Sequence, residues 1–122
     1  MTKDKRILLV DDDALFKGVV KSYIGKLNMR VFEAENGLIA LEFLLSNEVD
    51  LILSDVNMPE MTGFELSRAM RDRGIETPIV LITGNPLYTK ADAVRCGARD
   101  LINKLFQTDE LIAIIQNNVV SL

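Results

Sequence analysis

Directly after the apolar run Ile7-Leu8-Leu9-Val10, the sequence places three carboxylates in a row, Asp11-Asp12-Asp13. A separate carboxylate, Asp55, lies in the stretch Ser54-Asp55-Val56-Asn57-Met58-Pro59 that follows Leu51-Ile52-Leu53, with Gly63 beyond it. Thr83-Gly84 follows Ile79-Val80-Leu81-Ile82, and Lys104 follows Leu101-Ile102-Asn103. Taken singly, each has an ordinary explanation: an aspartate or threonine capping a helix, turn residues, a solvent-facing lysine. Taken together, they are the set that phosphoryl transfer onto a carboxylate needs. Adjacent carboxylates beside a buried strand repel one another and are eased by a hard cation such as Mg²⁺, which takes oxygen ligands and keeps several waters. A carboxylate can act as the nucleophile and form an aspartyl phosphate. Metal, hydroxyl and ammonium then share the charge on the equatorial oxygens.

What the chain lacks narrows the chemistry further. It has no histidine, which removes the usual general base and any Ser–His–Asp arrangement. Acidic residues outnumber basic ones 18 to 14, a net charge of −4, which argues against a nucleic-acid-binding surface. The single cysteine, Cys96, can form no internal disulfide and suits a reducing, cytoplasmic setting. The charged N-terminus and the four apolar residues 7–10 make neither a signal peptide nor a membrane span. At 122 residues, 48% apolar and 26% charged, the expectation is one globular domain over residues 1–122 with no output domain.

Elements must bring these residues together. The apolar runs are too short for helices and fit strands buried on both faces of a parallel sheet, with Val31-Phe32-Glu33-Ala34 as an edge strand and Leu101-Ile102-Asn103 as a fifth. Between them lie helical patterns. Phe16, Val20, Tyr23, Ile24 and Leu27 share one face; Leu38, Leu41, Leu44 and Leu45 follow Asn36-Gly37. Phe64, Leu66 and Met70 mark a third helix ending at Gly74, and residues 90–96 a fourth ending at Gly97. Thr108-Asp109-Glu110 opens a fifth with Leu111, Ile114, Ile115 and Val119. The pattern is (βα)₅, an α/β doubly wound parallel sheet, whose site lies beyond the carboxyl ends of the strands.

In this order, Asp11-Asp12, Asp55-Val56-Asn57-Met58-Pro59 with Gly63, Thr83-Gly84, and Lys104 with Phe106 resemble the receiver domains of two-component response regulators, over the whole chain. The resemblance implies a flavodoxin-like five-stranded sheet in order 2-1-3-4-5. It implies that Asp55 accepts a phosphoryl group from a phosphohistidine on a histidine kinase or histidine phosphotransfer domain, as a signalling switch and not as a conventional enzyme. Asp12 and Asp55 would ligate Mg²⁺ by carboxylates, Asn57 by its backbone carbonyl and Asp11 through water. Thr83 would hydrogen-bond the phosphoryl group, Lys104 would pair with it, and Gly84 would leave room for the donor. Asn57 and Asn85 would tune the phosphate lifetime, and the helix 4 to helix 5 face would meet the downstream target.

Two positions depart from the family pattern. Leu101 stands where receivers commonly carry an aromatic ring, and Leu105 where they tend to have proline, so a trans Lys104–Leu105 bond is expected. Leu15, Leu105 and Phe106 could form an apolar patch beside the site that docks the histidine-bearing partner. Two other readings use the same residues: a receiver acting as a phosphorylation-independent adaptor, and a haloacid-dehalogenase-like phosphohydrolase with Asp11 as nucleophile. The second would leave Asp55 without a task, and no acidic pair follows Lys104 on a further strand. No Gly-x-x-x-x-Gly-Lys-Ser/Thr run supports a Walker-type ATPase.

Overall fold

The apolar runs form β1 (Arg6–Val10), β2 (Arg30–Ala34), β3 (Leu51–Asp55), β4 (Ile79–Thr83) and β5 (Asp100–Asn103). All neighbours are parallel, in the order β2-β1-β3-β4-β5. The helices are α1 (Ala14–Gly25), α2 (Gly37–Leu44), α3 (Gly63–Asp72), α4 (Lys90–Arg95) and α5 (Thr108–Asn118). The computed structural model describes residues 5–104 and 108–119. The expectations that concern Leu105 and Phe106, including the trans Lys104–Leu105 bond, lie outside the described residues.

Alternation along each strand divides the core in two. Ile7, Leu9, Leu51, Leu53, Val80 and Ile82 face α1 and α5, meeting Val20, Ile24, Leu111 and Ile115. Leu8, Val10, Ile52, Ile79 and Leu81 face the other way, toward Leu41 and Leu44 of α2, Leu66 and Met70 of α3 and Ala93 of α4. Every residue of β3 and of β4 is buried. That is why those runs read as continuously apolar and not alternating.

The boundaries differ from expectation in ways that matter for the site. Ser54, Asp55 and Thr83 are not in loops after their strands; they are the last strand residues, with Asp55 opposite Ile82 and Thr83 opposite Asn103. In α2 the buried positions are Gly37, Ala40, Leu41 and Leu44, an i, i+3, i+4, i+7 stripe. Leu38 and Leu45 each lie one residue off that stripe and are 47% and 64% exposed, so they are not core as the leucine spacing suggests.

Turn chemistry agrees with the sequence. Asp13 caps α1, and Thr62 and Thr89 form capping boxes with Glu65 and Asp92. Gly74 and Gly97 take φ of +73° and +88° just beyond α3 and α4, where a side chain would be strained. Arg71 ties α3 to both following connections, donating to the carbonyls of Ile75, Thr77 and Gly97. These contacts join the end of α3 to the segments that lead into the amino ends of β4 and β5, at the opposite end of the strands from Asp55 and Thr83.

Candidate functional site

The three adjacent aspartates divide into separate roles. Asp13 is the N-cap of α1: its Oδ1 accepts from the N–H groups of Leu15 (3.0 Å) and Phe16 (3.2 Å). Asp12 is exposed. Asp11 is only 1% exposed; its N–H continues the β1–β2 pairing by donating to the Ala34 carbonyl at 3.1 Å. Its Oδ1 accepts from the Asp13 N–H at 2.9 Å, while its Oδ2 is buried with no hydrogen-bond partner among the described residues.

Asp55 arrives beside Asp11 because β3 pairs with β1, and strand pairing fixes which residues share the sheet edge. Asp11, Asp12 and Asp55 each offer a carboxylate oxygen, and these oxygens lie within 4.8 Å of one another. Burial is the main cause that pushes the Asp11 carboxyl above its ordinary value, and the negative charges of Asp55 and Asp12 add to it; the Asp13 N–H and Lys104 oppose the shift. A buried carboxylate oxygen without a donor, beside two other carboxylates, fits a hard divalent cation. The donor set therefore fits Mg²⁺. Asn57 reaches the cluster through its main chain, its N–H 3.4 Å from Asp55 Oδ1, and its side chain is exposed.

Lys104 closes the other side. Its backbone N–H donates to the Thr83 carbonyl at 2.7 Å, and its Nζ lies 3.2 Å from Asp55 Oδ2. It is therefore not the solvent-facing lysine that its type alone suggests. Partial burial alone would lower the Lys104 pKa, but the hydrogen bond and charge of Asp55, with Asp11 and Asp13, more than offset this and hold it above its usual value. The same ammonium stands 4.9 Å from the centroid of the Phe16 ring, a cation–π contact. Phe16 reads in the sequence as one more residue of the α1 core face, and nothing local marks it as a neighbour of Lys104.

Thr83 is buried, and its Oγ1 accepts from the Asn85 N–H at 3.0 Å. It does not cap α4, whose cap is Thr89. Among the described residues, a Cβ placed on Gly84 would meet Lys104 Cδ alone, at 3.8 Å. Gly63 is different. A Cβ there would stand 2.5 Å from the Asp55 carbonyl oxygen, and its N–H donates to the Val56 carbonyl at 2.8 Å. The start of α3 is thus pressed onto the backbone that carries Asp55. Leu101 lies opposite Leu81 and packs against the α2–α4 side of the core, as strand packing alone would have it. Leu15 is 85% exposed. Among the described residues no helix is long and apolar enough to cross a membrane.

Known proteins share both sequence and fold. The chain is 35% identical to the regulatory protein AtoC of Escherichia coli K12 over 117 residues, 95% of this chain and 25% of AtoC. It spans half or less of the other curated relatives it matches, which include sensor histidine kinases. The chemotaxis response regulator CheY4 of Vibrio cholerae superposes with a TM-score of 0.85 at 30% identity, covering 94% of this chain and 98% of CheY4. The receiver domain of the sensor histidine kinase PA1611 from Pseudomonas aeruginosa PAO1 has a TM-score of 0.87 at 28% identity, covers 98% of this chain and all of that one, and holds a magnesium ion coordinated in its active-site cleft. The family model of the response regulator receiver domain matches residues 7–116, from the first residue of β1 that enters the core to the last turn of α5, and the chain belongs to that family.

Proposed function

We propose that this chain is a phosphoacceptor switch in a two-component or phosphorelay system, with Asp55 as the acceptor. The observation that carries the reading is the buried, unpartnered Asp11 Oδ2 beside Asp12 and Asp55, with Lys104 Nζ 3.2 Å from Asp55 on the opposite side. One pole of the site calls for a cation and the other already has one.

In this reading Asp12 and Asp55 hold Mg²⁺ by carboxylates, Asn57 by its backbone carbonyl and Asp11 through water. When bound, Mg²⁺ supplies positive charge that offsets the carboxylates and the phosphoryl oxygens. Asp55 donates an electron pair to the phosphorus of a partner phosphohistidine. A P–O bond forms, the P–N bond breaks, and the imidazole leaves with the bonding pair. Lys104 orients Asp55 before transfer and pairs with the phosphoryl group after it, and the Thr83 hydroxyl donates to a phosphoryl oxygen. Gly84, with no side chain, leaves room for the donor. Hydrolysis of the aspartyl phosphate restores the resting state, with Asn57 and Asn85 flanking the path of the attacking water. The partner is a histidine kinase or a histidine phosphotransfer domain, and the chain's own chemistry is limited to gaining and losing its phosphoryl group.

The test is incubation with Mg²⁺ and acetyl phosphate, followed by intact-mass measurement and location of the modified residue. One Mg²⁺-dependent phosphoryl adduct on Asp55, absent in Asp55→Asn, is expected. An adduct on Asp11 would instead support a phosphohydrolase, and the absence of any Asp55-dependent adduct would favour a phosphorylation-independent adaptor.

A further inference from the structure

An open cleft of about 410 Å³ lies between α3 and α4, lined by Phe64, Arg68, Tyr88, Asp92, Arg95 and Cys96. Its apolar wall is the edge-to-face pair of Phe64 and Tyr88, with ring centroids 5.1 Å apart and planes at 84°. Its charge is unbalanced. The Asp92 carboxylate is already occupied: Oδ2 accepts from the Thr89 N–H at 2.9 Å, and Oδ1 faces Arg95 at 3.5 Å. Among the described residues Arg68 meets the Arg95 carbonyl at 3.5 Å and Cys96 Sγ at 4.0 Å, neither of them a charged acceptor. In a chain of net charge −4, this cleft carries two guanidinium groups against one committed carboxylate. The complement of such a surface is an apolar side chain flanked by carboxylates.

Contacts connect the cleft to both strand ends of the candidate site. Thr83 Oγ1 accepts from the Asn85 N–H, Asn85 Oδ1 accepts from the Leu87 N–H at 2.9 Å, and the Asn85 carbonyl accepts from the Tyr88 N–H at 3.3 Å. On the other side, Phe64 follows Gly63, which is pressed against the Asp55 backbone. The aromatic pair is therefore held by the loop after β4 and by the loop after β3. A Thr83 hydroxyl that turns toward a phosphoryl group leaves the Asn85 N–H without its acceptor, and Asn85 carries Leu87 and Tyr88.

We propose that the α3–α4 cleft is a docking surface for a partner-protein segment bearing an apolar side chain flanked by carboxylates, and that the state of Asp55 adjusts it through Asn85. The coupling rests on the phosphoacceptor reading; the charge preference of the cleft does not. This surface lies on the α3 side of α4, apart from the helix 4 to helix 5 face.

The sequence has no tryptophan and two tyrosines, so Tyr23→Phe leaves Tyr88 as the sole long-wavelength emitter. Its emission is titrated with a blocked peptide Glu-Leu-Leu-Glu-Leu-Leu-Glu and with the version in which lysine replaces glutamate. The acidic peptide is expected to bind about tenfold tighter, and the exposed-site variant Arg68→Glu to reverse the order. Equal binding of the two peptides, or binding of neither, overturns the docking surface. The titration is repeated with Mg²⁺ and beryllofluoride, whose binding is read separately by ¹⁹F NMR. A changed affinity that is lost in Asn85→Ala supports the coupling. An unchanged affinity despite a bound-fluoride signal overturns the coupling. An absent fluoride signal overturns the phosphoacceptor reading and with it the coupling, while the peptide preference still decides the docking surface.

Discussion

Lys104 Nζ lies 3.2 Å from Asp55 Oδ2, joining the ends of β5 and β3, which are not adjacent strands. The ammonium spans the intervening β4 because its own backbone N–H is fixed to the Thr83 carbonyl. One cation thereby offsets part of a three-carboxylate cluster, and the carboxylates in turn hold its pKa above the ordinary lysine value.

Removing that cation is expected to destabilise the Mg²⁺-free protein. Lys104→Met leaves Asp55, 5% exposed, without its partner. The loss is about 1–2 kcal/mol, below that of a fully buried pair because the Lys104 side chain is 27% exposed. The sign follows from the raised pKa: the stabilisation is complete below the ordinary lysine value and fades only as pH rises through the higher folded one. Denaturant melts at neutral pH with and without Mg²⁺ check this, with the deficit expected to shrink when Mg²⁺ is present. An equal deficit in both conditions contradicts the cation-balance account.

Removing the Asp11 charge should have the opposite effect on stability. Its pKa is raised, first by burial and then by Asp55 and Asp12, so its contribution to stability is fully present below the unfolded value of 3.8 and is lost as pH rises through the folded one. At neutral pH the ionised group therefore costs stability in the metal-free state. Asp11→Asn keeps an Oδ1 acceptor for the Asp13 N–H and places an amide donor beside Asp12 and Asp55. The metal-free melting midpoint is expected to rise by several degrees, and the further rise on adding Mg²⁺ to be smaller than in the wild type. A metal-free midpoint that falls would refute the repulsion argument.

How much of this was legible in the sequence depends on whether the signal was local. The five apolar runs act within a few positions, so the strands and the alternation with helices follow from spacing. The strand order came from the resemblance, and the caps Thr62 and Thr89 were passed over in favour of Thr83. Asp55 and Thr83 could be picked out by type and order, yet not placed as strand residues, because their pairing with Ile82 and Asn103 is set by distant segments. Leu38 and Leu45 misled because leucine content outweighed the period of the buried stripe. Phe16 below Lys104 and Arg71 across three carbonyls were invisible, since neither contact leaves a mark in sequence spacing.

Gly63 is expected to be intolerant of even one methyl group. A Cβ would stand 2.5 Å from the Asp55 carbonyl oxygen and 3.0 Å from Leu81 Cδ2. The backbone oxygen cannot swing aside as a side-chain tip can, so Gly63→Ala must move α3 or the end of β3, at a cost of about 1–3 kcal/mol. Because that backbone carries the acceptor, Mg²⁺-dependent phosphorylation by acetyl phosphate should slow as well. Gly84→Ala, which among the described residues meets Lys104 Cδ alone at 3.8 Å, serves as the comparison and should leave stability nearly unchanged. Similar melting midpoints for wild type and Gly63→Ala would show that the close approach is not a constraint.

Leu15 offers a way to separate partner docking from chemistry. It is 85% exposed in the first turn of α1, two residues beyond the Asp13 cap, and makes no part of either core cluster. Aspartate at this position suits a helix N-terminus, so Leu15→Asp should fold normally. If Leu15 packs against the histidine-bearing partner, the variant loses about 1–2 kcal/mol of docking, roughly a tenfold slower transfer at limiting concentration. Labelling by acetyl phosphate needs no protein docking and should proceed at the wild-type rate. Both rates are measured on the same preparation, using a phosphorylated histidine phosphotransfer domain or kinase as the protein donor. Unchanged transfer from the protein donor removes Leu15 from the interface, whereas parallel loss with both donors would mean that the substitution disturbs the acceptor site itself.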